Sequence, residues 1–128
     1  DVAFRTGGVL ERAGVNVAFH TDDGITDSRL FLRSAALAVR AGMTREGALR
    51  ALTLSGAEMM DLQDRTGSLT PGKDADFAIL DGDPFSVYTH AQLVFIDGEQ
   101  VYDRSAGDDA RPRSDFDLGL RDDLRGAP

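Results

Sequence analysis

The pattern of hydrophobic and polar residues changes near residue 63 and predicts two structural parts and a tail. Apolar residues before this point recur at helical spacing or form one short unbroken run, whereas later apolar runs are short and separated by turn residues. In the first part, the pattern predicts a helix over 1–13, a strand over 15–20 and a helix over 28–41. A further helix from Thr44 to Met60 is predicted to break near Ser55–Gly56. In the second part, the pattern predicts strands over 75–80, 92–96 and 99–102. The pair Asp97–Gly98 suits a type I′ hairpin between the last two strands. We therefore expect a helix-rich part over 1–63, a strand-rich part over 64–103, and an extended or partly disordered tail over 104–128.

Local signals support the predicted helices. Asp27 or Ser28 can cap the helix over 28–41, and Thr44 can cap the helix that follows it. Two methionines, Met59 and Met60, lie near the end of that helix. Because methionine adapts to irregular gaps, we expect both side chains to fill the core.

The run Val15–Phe19 is almost continuously apolar, which is typical of a strand buried on both faces. It leads directly into a polar cluster of His20, Thr21, Asp22 and Asp23. The carboxyl ends of buried strands open onto the clefts in which barrels and open sheets perform their chemistry. A carboxylate there is partly desolvated and needs a cation, a proton or a hydrogen-bond donor. Asp22 is therefore the leading functional candidate, although the residues alone favour a structural role in which it caps the next helix or stabilises the turn.

Composition excludes several classes of partner. The 128 residues include 22 acidic and 14 basic ones, with a formal net charge of −8, which disfavours nucleic acid and anionic membrane surfaces. The chain has no cysteine, which excludes disulfides and thiolate metal sites. No run is long enough to span a bilayer and no signal peptide is present, so we expect a cytoplasmic protein. The chain opens at Asp1 without a methionine or a capping signal, and we expect it to be part of a longer parent.

Four segments together resemble the carboxyl-terminal region of the metal-dependent amidohydrolase superfamily, closest to its imidazolonepropionase-like branch. The segments are AGVNVAFHTDDG at 13–24, AALAVRAGMTREGALRALTLSGAEMM at 35–60, GSLTPGKDADFAILDGDPFS at 67–86 and VFIDGEQVYD at 94–103. The resemblance implies an α/β fold: the last strand and following helices of a (β/α)₈ metallo-hydrolase barrel, plus strands of a small β-sandwich. In that arrangement, 15–20 is the eighth barrel strand.

The resemblance also implies a role for Asp22. In the family, the aspartate that ends strand eight ligates the catalytic metal and takes the proton from the attacking water. A divalent metal lowers the pKa of water toward neutrality, and a nearby carboxylate can relay the proton. His20, Thr21 and Asp23 are candidates for contacting substrate or supporting Asp22, although a purely structural histidine is an equal alternative. Arg29 could reach an anionic substrate group, or it could be a solvated arginine on the helix face.

A catalytic metal needs at least three protein ligands, and this chain carries one candidate. The superfamily takes its other ligands from an HxH on the first strand, a lysine or glutamate midway, and histidines on strands five and six. The chain has only His20 and His90, which do not stand at metal-ligand spacing. We therefore expect a divalent metal, zinc before iron or manganese, to be bound only with ligands from outside this chain.

These observations predict the carboxyl-terminal portion of a metal-dependent amidohydrolase that hydrolyses a C–N bond, in an amide or cyclic amide, with metal-activated water. A strand buried on both faces needs neighbours on both sides, so the remainder of the barrel would come from the upstream polypeptide or from another copy. The expected partners are thus a small-molecule substrate and the rest of the barrel. We also expect the protein to be a homo-oligomer and the isolated chain to be inactive. The alternative is a non-catalytic assembly or binding module derived from an amidohydrolase.

Overall fold

The computed structural model describes residues 2–22 and 25–107, and it consists of helices followed by a small antiparallel sheet. The helices and strands are α1 Val2–Arg12, a short 3₁₀ helix Ser28–Leu30, α2 Phe31–Arg40, α3 Arg45–Leu52, α4 Leu54–Met59, β1 Phe77–Leu80, β2 Ala91–Ile96, β3 Glu99–Asp103 and a 3₁₀ helix Arg104–Ala106. The change of pattern near residue 63 thus corresponds to the passage from helices to strands. The part of the predicted tail over 108–128 lies outside the described residues.

The core of the described residues is small and lies among α1, α2 and α3. Its buried residues are Ala35, Ala38, Met43, Ala48 and Ala51. Partly buried apolar side chains pack around them, namely Val17, Phe19, Val39, Leu52 and Phe85. Because the central side chains are mostly methyl groups, the helices can pack closely. Phe85 comes from the strand-rich part, so this core also holds the two parts together.

The predicted cap of α3 is confirmed, and the predicted break after it is wrong in position. The Thr44 hydroxyl accepts the Gly47 N–H at 2.9 Å, which satisfies one free donor of the first helical turn. The break lies at Thr53, with φ −132° and ψ −93°, and not near Ser55–Gly56, which both belong to α4. At this break the Thr53 hydroxyl donates to the Leu49 carbonyl at 2.9 Å, a local hydrogen bond that often accompanies a bend in a helix.

The three strands form one sheet in the order β1-β2-β3, with both pairs antiparallel. Phe77 and Phe95 are paired across β1 and β2, and their rings stack with centroids 4.6 Å apart. Asp97 and Gly98 join β2 to β3 with φ values of 51° and 78°. Both values are positive, as the predicted type I′ turn requires.

Residues 15–20 form neither a helix nor a strand in the described part of the chain, contrary to the predicted two-sided strand. The segment lies against the helices, where the Phe19 N–H donates to the Ala51 carbonyl at 3.0 Å. Val15 remains 48% exposed. The physical reason is that a strand needs a paired neighbour, and all three described strands pair with one another instead.

The prediction that Met59 and Met60 fill the core is also wrong, since their side chains are 55% and 71% exposed. They lie at the end of α4, facing away from the core of the described residues. Within the described residues, no helix combines the length and the apolar character needed to cross a bilayer.

Candidate active site

Asp22 follows the apolar segment 15–20 and occupies a turn. Its φ is 55°, a left-handed conformation that aspartate adopts more readily than most residues. The turn is closed by the Ile25 N–H, which donates to the Asp22 carbonyl at 2.9 Å. The Asp22 side chain is exposed, and no described residue donates a hydrogen bond to its carboxylate. The described residues therefore leave Asp22 free to bind a ligand.

The other predicted site residues have no observed contact with Asp22 in the described part of the chain. His20 is exposed and Thr21 is half-buried, and neither forms a hydrogen bond with Asp22 in the described part of the chain. Asp23 lies outside the described residues. His90, which was not a metal-ligand candidate, lies just before β2, with its Nδ1 3.6 Å from Asp81 Oδ2. The two histidines thus belong to different parts of the chain.

The residues present can supply one ligand to a divalent metal but not a whole site. An exposed carboxylate with no competing donor is a suitable oxygen ligand for zinc, iron or manganese. Across residues 2–22 and 25–107, however, no three His, Cys, Asp or Glu side chains come together in a group that could hold a metal ion. Asp22 therefore fits one coordination position, and the other positions require ligands that the described residues lack.

The loop after Asp22 carries a tight ion pair that sequence analysis did not anticipate. Arg29 Nη2 lies 2.5 Å from Asp27 Oδ2, and Arg29 Nε donates to Oδ1 at 3.0 Å. Asp27 also accepts the Arg29 backbone N–H at 2.9 Å, so it caps the 3₁₀ helix as predicted. The hydrogen bonds from Arg29 hold the pKa of Asp27 below its usual value. The charge of the Arg29 guanidinium is consequently balanced within its own loop.

A second polar cluster lies at the other end of the segment 15–20 and was also missed. Asn16 Nδ2 donates to Glu58 Oε2 at 3.0 Å, and Arg50 Nη2 lies 2.5 Å from Glu58 Oε1. These side chains border a cleft of about 450 Å³ that Val15 and Met43 also line. The signal in the sequence was Asn16, the one polar residue inside an apolar run. Asp22 is not among the residues that line this cleft.

This chain is similar in sequence to one known protein family and to several of its members. Residues 8–102 match the family model described as "Amidohydrolase family". The adenine deaminase of Clostridium perfringens is 42% identical over 71 residues, which cover 55% of this chain and 12% of that protein. The imidazolonepropionase of Picrophilus torridus is 38% identical over 74 residues, which cover 52% of this chain and 19% of that protein. The chain thus spans under a fifth of the length of these two relatives.

Solved structures give the same result. An amidohydrolase from Thermotoga maritima MSB8 superimposes with a TM-score of 0.76 and 36% identity, over 79% of this chain and 26% of that chain. An adenosine deaminase from Xanthomonas campestris with bound zinc superimposes with a TM-score of 0.63 and 26% identity, over 94% of this chain and 34% of that chain. The likeness confirms the predicted fold class, because these neighbours are amidohydrolase barrels of which this chain covers a part. The resemblance to the imidazolonepropionase-like branch is confirmed as well.

Proposed function

Because this chain belongs to the amidohydrolase family, we propose that it forms the carboxyl-terminal part of a metal-dependent hydrolase that cleaves a C–N bond. The bond would belong to an amide or a cyclic amide. The relatives support hydrolysis at carbon–nitrogen bonds, since they include proteins named as deaminases, an imidazolonepropionase and an N-acetylglucosamine-6-phosphate deacetylase. The observation that carries the proposal is the position of Asp22, an accessible carboxylate that lies inside the matched region and follows its apolar segment directly.

In this proposal Asp22 has two roles. Its carboxylate would provide one ligand to the metal, which would supply the activation of water when bound. The carboxylate also accepts the proton that the attacking water loses as the new C–O bond forms. Asp22 then delivers this proton to the departing nitrogen as the C–N bond breaks. The carboxylate ends the reaction ionised, as it began.

The remaining metal ligands and the barrel strands beside 15–20 would come from polypeptide outside these residues, either upstream in the same chain or in another copy. Two observations support this: the described residues hold no cluster of three or more metal-ligating side chains, and the segment 15–20 lacks a paired strand. Zinc is the proposed metal, which the zinc bound to the X. campestris neighbour supports. His20, Thr21 and Asp23 would line the same site, next to a small-molecule substrate.

The alternative is an assembly or binding module without catalysis, and the same lack of a metal cluster in the described part of the chain favours it. One experiment separates the two functions. The complete protein, expressed with all of its natural sequence, is compared with its Asp22→Asn variant for bound metal by mass spectrometry and for turnover of a panel of amides and cyclic amides. Because asparagine also tolerates a positive φ, the variant should keep the fold.

The proposal predicts that Asp22→Asn lowers turnover by about 10²–10⁴-fold, since it removes the proton acceptor, and lowers the bound metal content. Asp97→Asn is the matched control, because Asp97 is also an exposed aspartate with a positive φ but lies in the hairpin turn. This control should keep full turnover. Equal turnover of Asp22→Asn and the unchanged protein would exclude Asp22 from the mechanism. A complete protein that binds no metal and turns over no substrate would favour the binding module.

A further inference from the structure

We propose that a cleft between the start of α2 and the loop 81–90 binds a small organic monocarboxylate, with Arg33 as the cation that holds it. The cleft has a volume of about 190 Å³. Asp22 is not among the residues that line it, so the site goes beyond the proposed function and does not depend on it. The expected ligand has one carboxylate and a compact apolar body.

The loop between β1 and β2 forms one wall of the cleft and is held by several hydrogen bonds. The Ser86 N–H donates to the Asp83 carbonyl at 3.0 Å, and the Thr89 N–H donates to the Ser86 carbonyl at 3.2 Å. Asp83 Oδ1 accepts the Phe85 N–H at 3.0 Å and pairs with Arg45 Nη2 at 2.8 Å. Because Arg45 belongs to α3, this pair ties the loop to the helices. The wall is therefore formed before any ligand binds, as is usual for small-molecule sites.

Apolar residues outnumber polar ones around the cleft. They come from the helical side and from the loop, namely Leu30, Leu32, Ala36, Pro84, Phe85 and Val87. Leu30 and Val87 are 39% and 77% exposed, so part of this apolar surface is open to solvent. Covering such surface with an apolar ligand group removes it from water and favours binding. The walls are thus suited to a hydrocarbon group.

Arg33 supplies the unbalanced positive charge of the cleft. Arg29 and Arg33 lie about one helical turn apart, and both line the cleft. Asp27 pairs with Arg29, and Asp83 pairs with Arg45. Arg33 is exposed and forms no hydrogen bond or ion pair with any described residue. One guanidinium therefore stays available to an anion, in a chain whose formal net charge is −8.

The charge and the size of the cleft indicate the class of ligand. A guanidinium binds a carboxylate through two parallel N–H donors, and a single unbalanced charge matches a monoanion. A phosphate dianion would also be repelled by Asp27, which pairs with Arg29. The cleft is smaller than the roughly 300–1,000 Å³ of drug-sized sites, which limits the apolar body to one ring or a short chain.

Two hydroxyl groups can add hydrogen bonds to the bound carboxylate. Ser86 and Thr89 both line the cleft. Ser86 Oγ accepts the Tyr88 N–H at 3.2 Å, which leaves its own proton free to donate. The Thr89 hydroxyl forms no hydrogen bond with the part of the chain that the structure describes. The cleft thus combines one cation, two hydroxyl donors and apolar walls.

Fluorine NMR of the complete protein tests this site without knowledge of the natural ligand. The probes are 4-fluorobenzoate and 4-fluorobenzyl alcohol, which has nearly the same shape and no charge, and acetate is added as a competitor. We expect 4-fluorobenzoate to bind with a dissociation constant of about 0.1–10 mM, as is usual for a ligand of this size. The alcohol, which lacks the charge, and acetate, which lacks the ring, should each bind at least about tenfold more weakly.

Variants of Arg33 separate this cleft from any other site that takes the probe. Arg33→Gln should weaken the binding of 4-fluorobenzoate at least about tenfold and leave the weak binding of the alcohol unchanged. Arg33→Lys should restore part of the affinity, because the ammonium group keeps the charge without the planar fork. Arg40→Gln is the matched control, because Arg40 is exposed on the same helix and does not line the cleft. This control and Asp22→Asn should both bind the probe as the unchanged protein does.

Each contrary result has a separate meaning. Equal affinity of Arg33→Gln and the unchanged protein for 4-fluorobenzoate would overturn the site, and a loss confined to Asp22→Asn would assign the probe to the proposed active site. Equal affinity for the benzoate and the alcohol would overturn the role of the charge. If no probe showed saturable binding up to about 20 mM, the cleft itself would be rejected as a ligand site. The turnover of Asp22→Asn tests the proposed function separately from all of these results.

Discussion

Glu11 helps to cap α3, whose N-cap residue Thr44 lies 33 residues later in the chain. Its Oε2 accepts the Thr44 backbone N–H at 2.9 Å, and its Oε1 accepts the Thr44 hydroxyl. Thr44 in turn accepts the Gly47 N–H, so the start of α3 has the reciprocal hydrogen bonds of a capping box. In the usual box the glutamate belongs to the same helix, whereas here it comes from α1. This carboxylate therefore fixes α1 against α3.

We expect Glu11→Gln to destabilise the protein in a pH-dependent manner. The hydrogen bonds from the Thr44 hydroxyl and backbone hold the pKa of Glu11 below its usual value of 4.5. A carboxyl group with a lowered pKa in the folded state contributes its stability above the unfolded pKa and loses it as the pH falls through the folded value. The difference in melting temperature between the complete protein and its Glu11→Gln variant should thus be constant above about pH 5.5 and shrink below pH 4.5.

Glu46→Gln is the control for this titration, because Glu46 is exposed in the first turn of the same helix. Melting curves recorded across the pH range for the three proteins give the measurement. A difference between Glu11→Gln and the unchanged protein that persists undiminished at pH 3 would show that the charge of Glu11 has no part in the cap.

The packing of α1 depends on a residue that weakens the helix itself. Gly8 is buried, and a Cβ atom built on it would lie 2.9 Å from the Gly42 carbonyl group and from the Met43 nitrogen. These neighbours are backbone atoms, which cannot move aside as the end of a flexible side chain can. Glycine costs a helix about 0.5–1 kcal/mol relative to alanine. The close approach between α1 and the turn after α2 explains its presence.

Gly8→Ala is therefore expected to destabilise the complete protein by about 1–3 kcal/mol, in spite of the gain in helix propensity. Gly56→Ala in α4 provides the matched control, because a Cβ there has no described neighbour within 4 Å. That variant should be neutral or more stable by up to about 1 kcal/mol. Thermal unfolding of the two variants measures the contrast, and equal stability of both would show that α1 does not need the close approach.

At the scale of the whole molecule, the helices and the sheet are joined by a few contacts around one aromatic ring. Phe85 packs against the helical core, and the Arg45 guanidinium lies 4.9 Å from the centre of its ring. Arg45 Nη2 also pairs with Asp83 Oδ1 at 2.8 Å. Both partners of this pair are about half exposed. The ion pair therefore contributes little to the free energy of unfolding, because water screens exposed charges.

The described residues bury little apolar area for their number. Most of the core consists of alanine methyl groups, while many larger apolar side chains stay exposed, among them Val9, Val15, Leu49, Met59, Met60, Val87 and Tyr88. Burial of large side chains contributes about 1.5–3 kcal/mol each, and this contribution is missing. Under the proposed function, these apolar side chains would be covered by the rest of the barrel.

We accordingly expect the isolated 128-residue chain to be poorly stable or to associate. Size-exclusion chromatography should show an expanded or oligomeric species, and circular dichroism should show a broad melting transition. The complete protein, measured under the same conditions, should elute as a defined species and melt cooperatively. A compact 128-residue monomer with a sharp transition would contradict the proposal that the rest of the barrel lies outside these residues.

Features that depend on neighbours in the chain could be predicted from the order of residues. Helical periodicity, the Thr44 cap and the Asp97–Gly98 turn all act within a few residues, so α1 to α3 and the β2–β3 hairpin were predictable. The motifs around Asp22 and over 67–86 were also sufficient to indicate the amidohydrolase family, which the comparisons confirmed. The role of Asp22 as ligand and proton carrier stays a prediction drawn from that likeness.

Features that depend on distant partners could not be predicted from the order of residues and required the folded chain. The cap that Glu11 provides to α3 joins residues far apart in sequence, and no local sequence pattern predicts it. The exposure of Met59 and Met60 and the unpaired segment 15–20 have the same origin, because burial and strand pairing depend on which surfaces meet. An apolar run shows that a segment can be buried, but burial itself requires neighbouring elements that cover both of its faces.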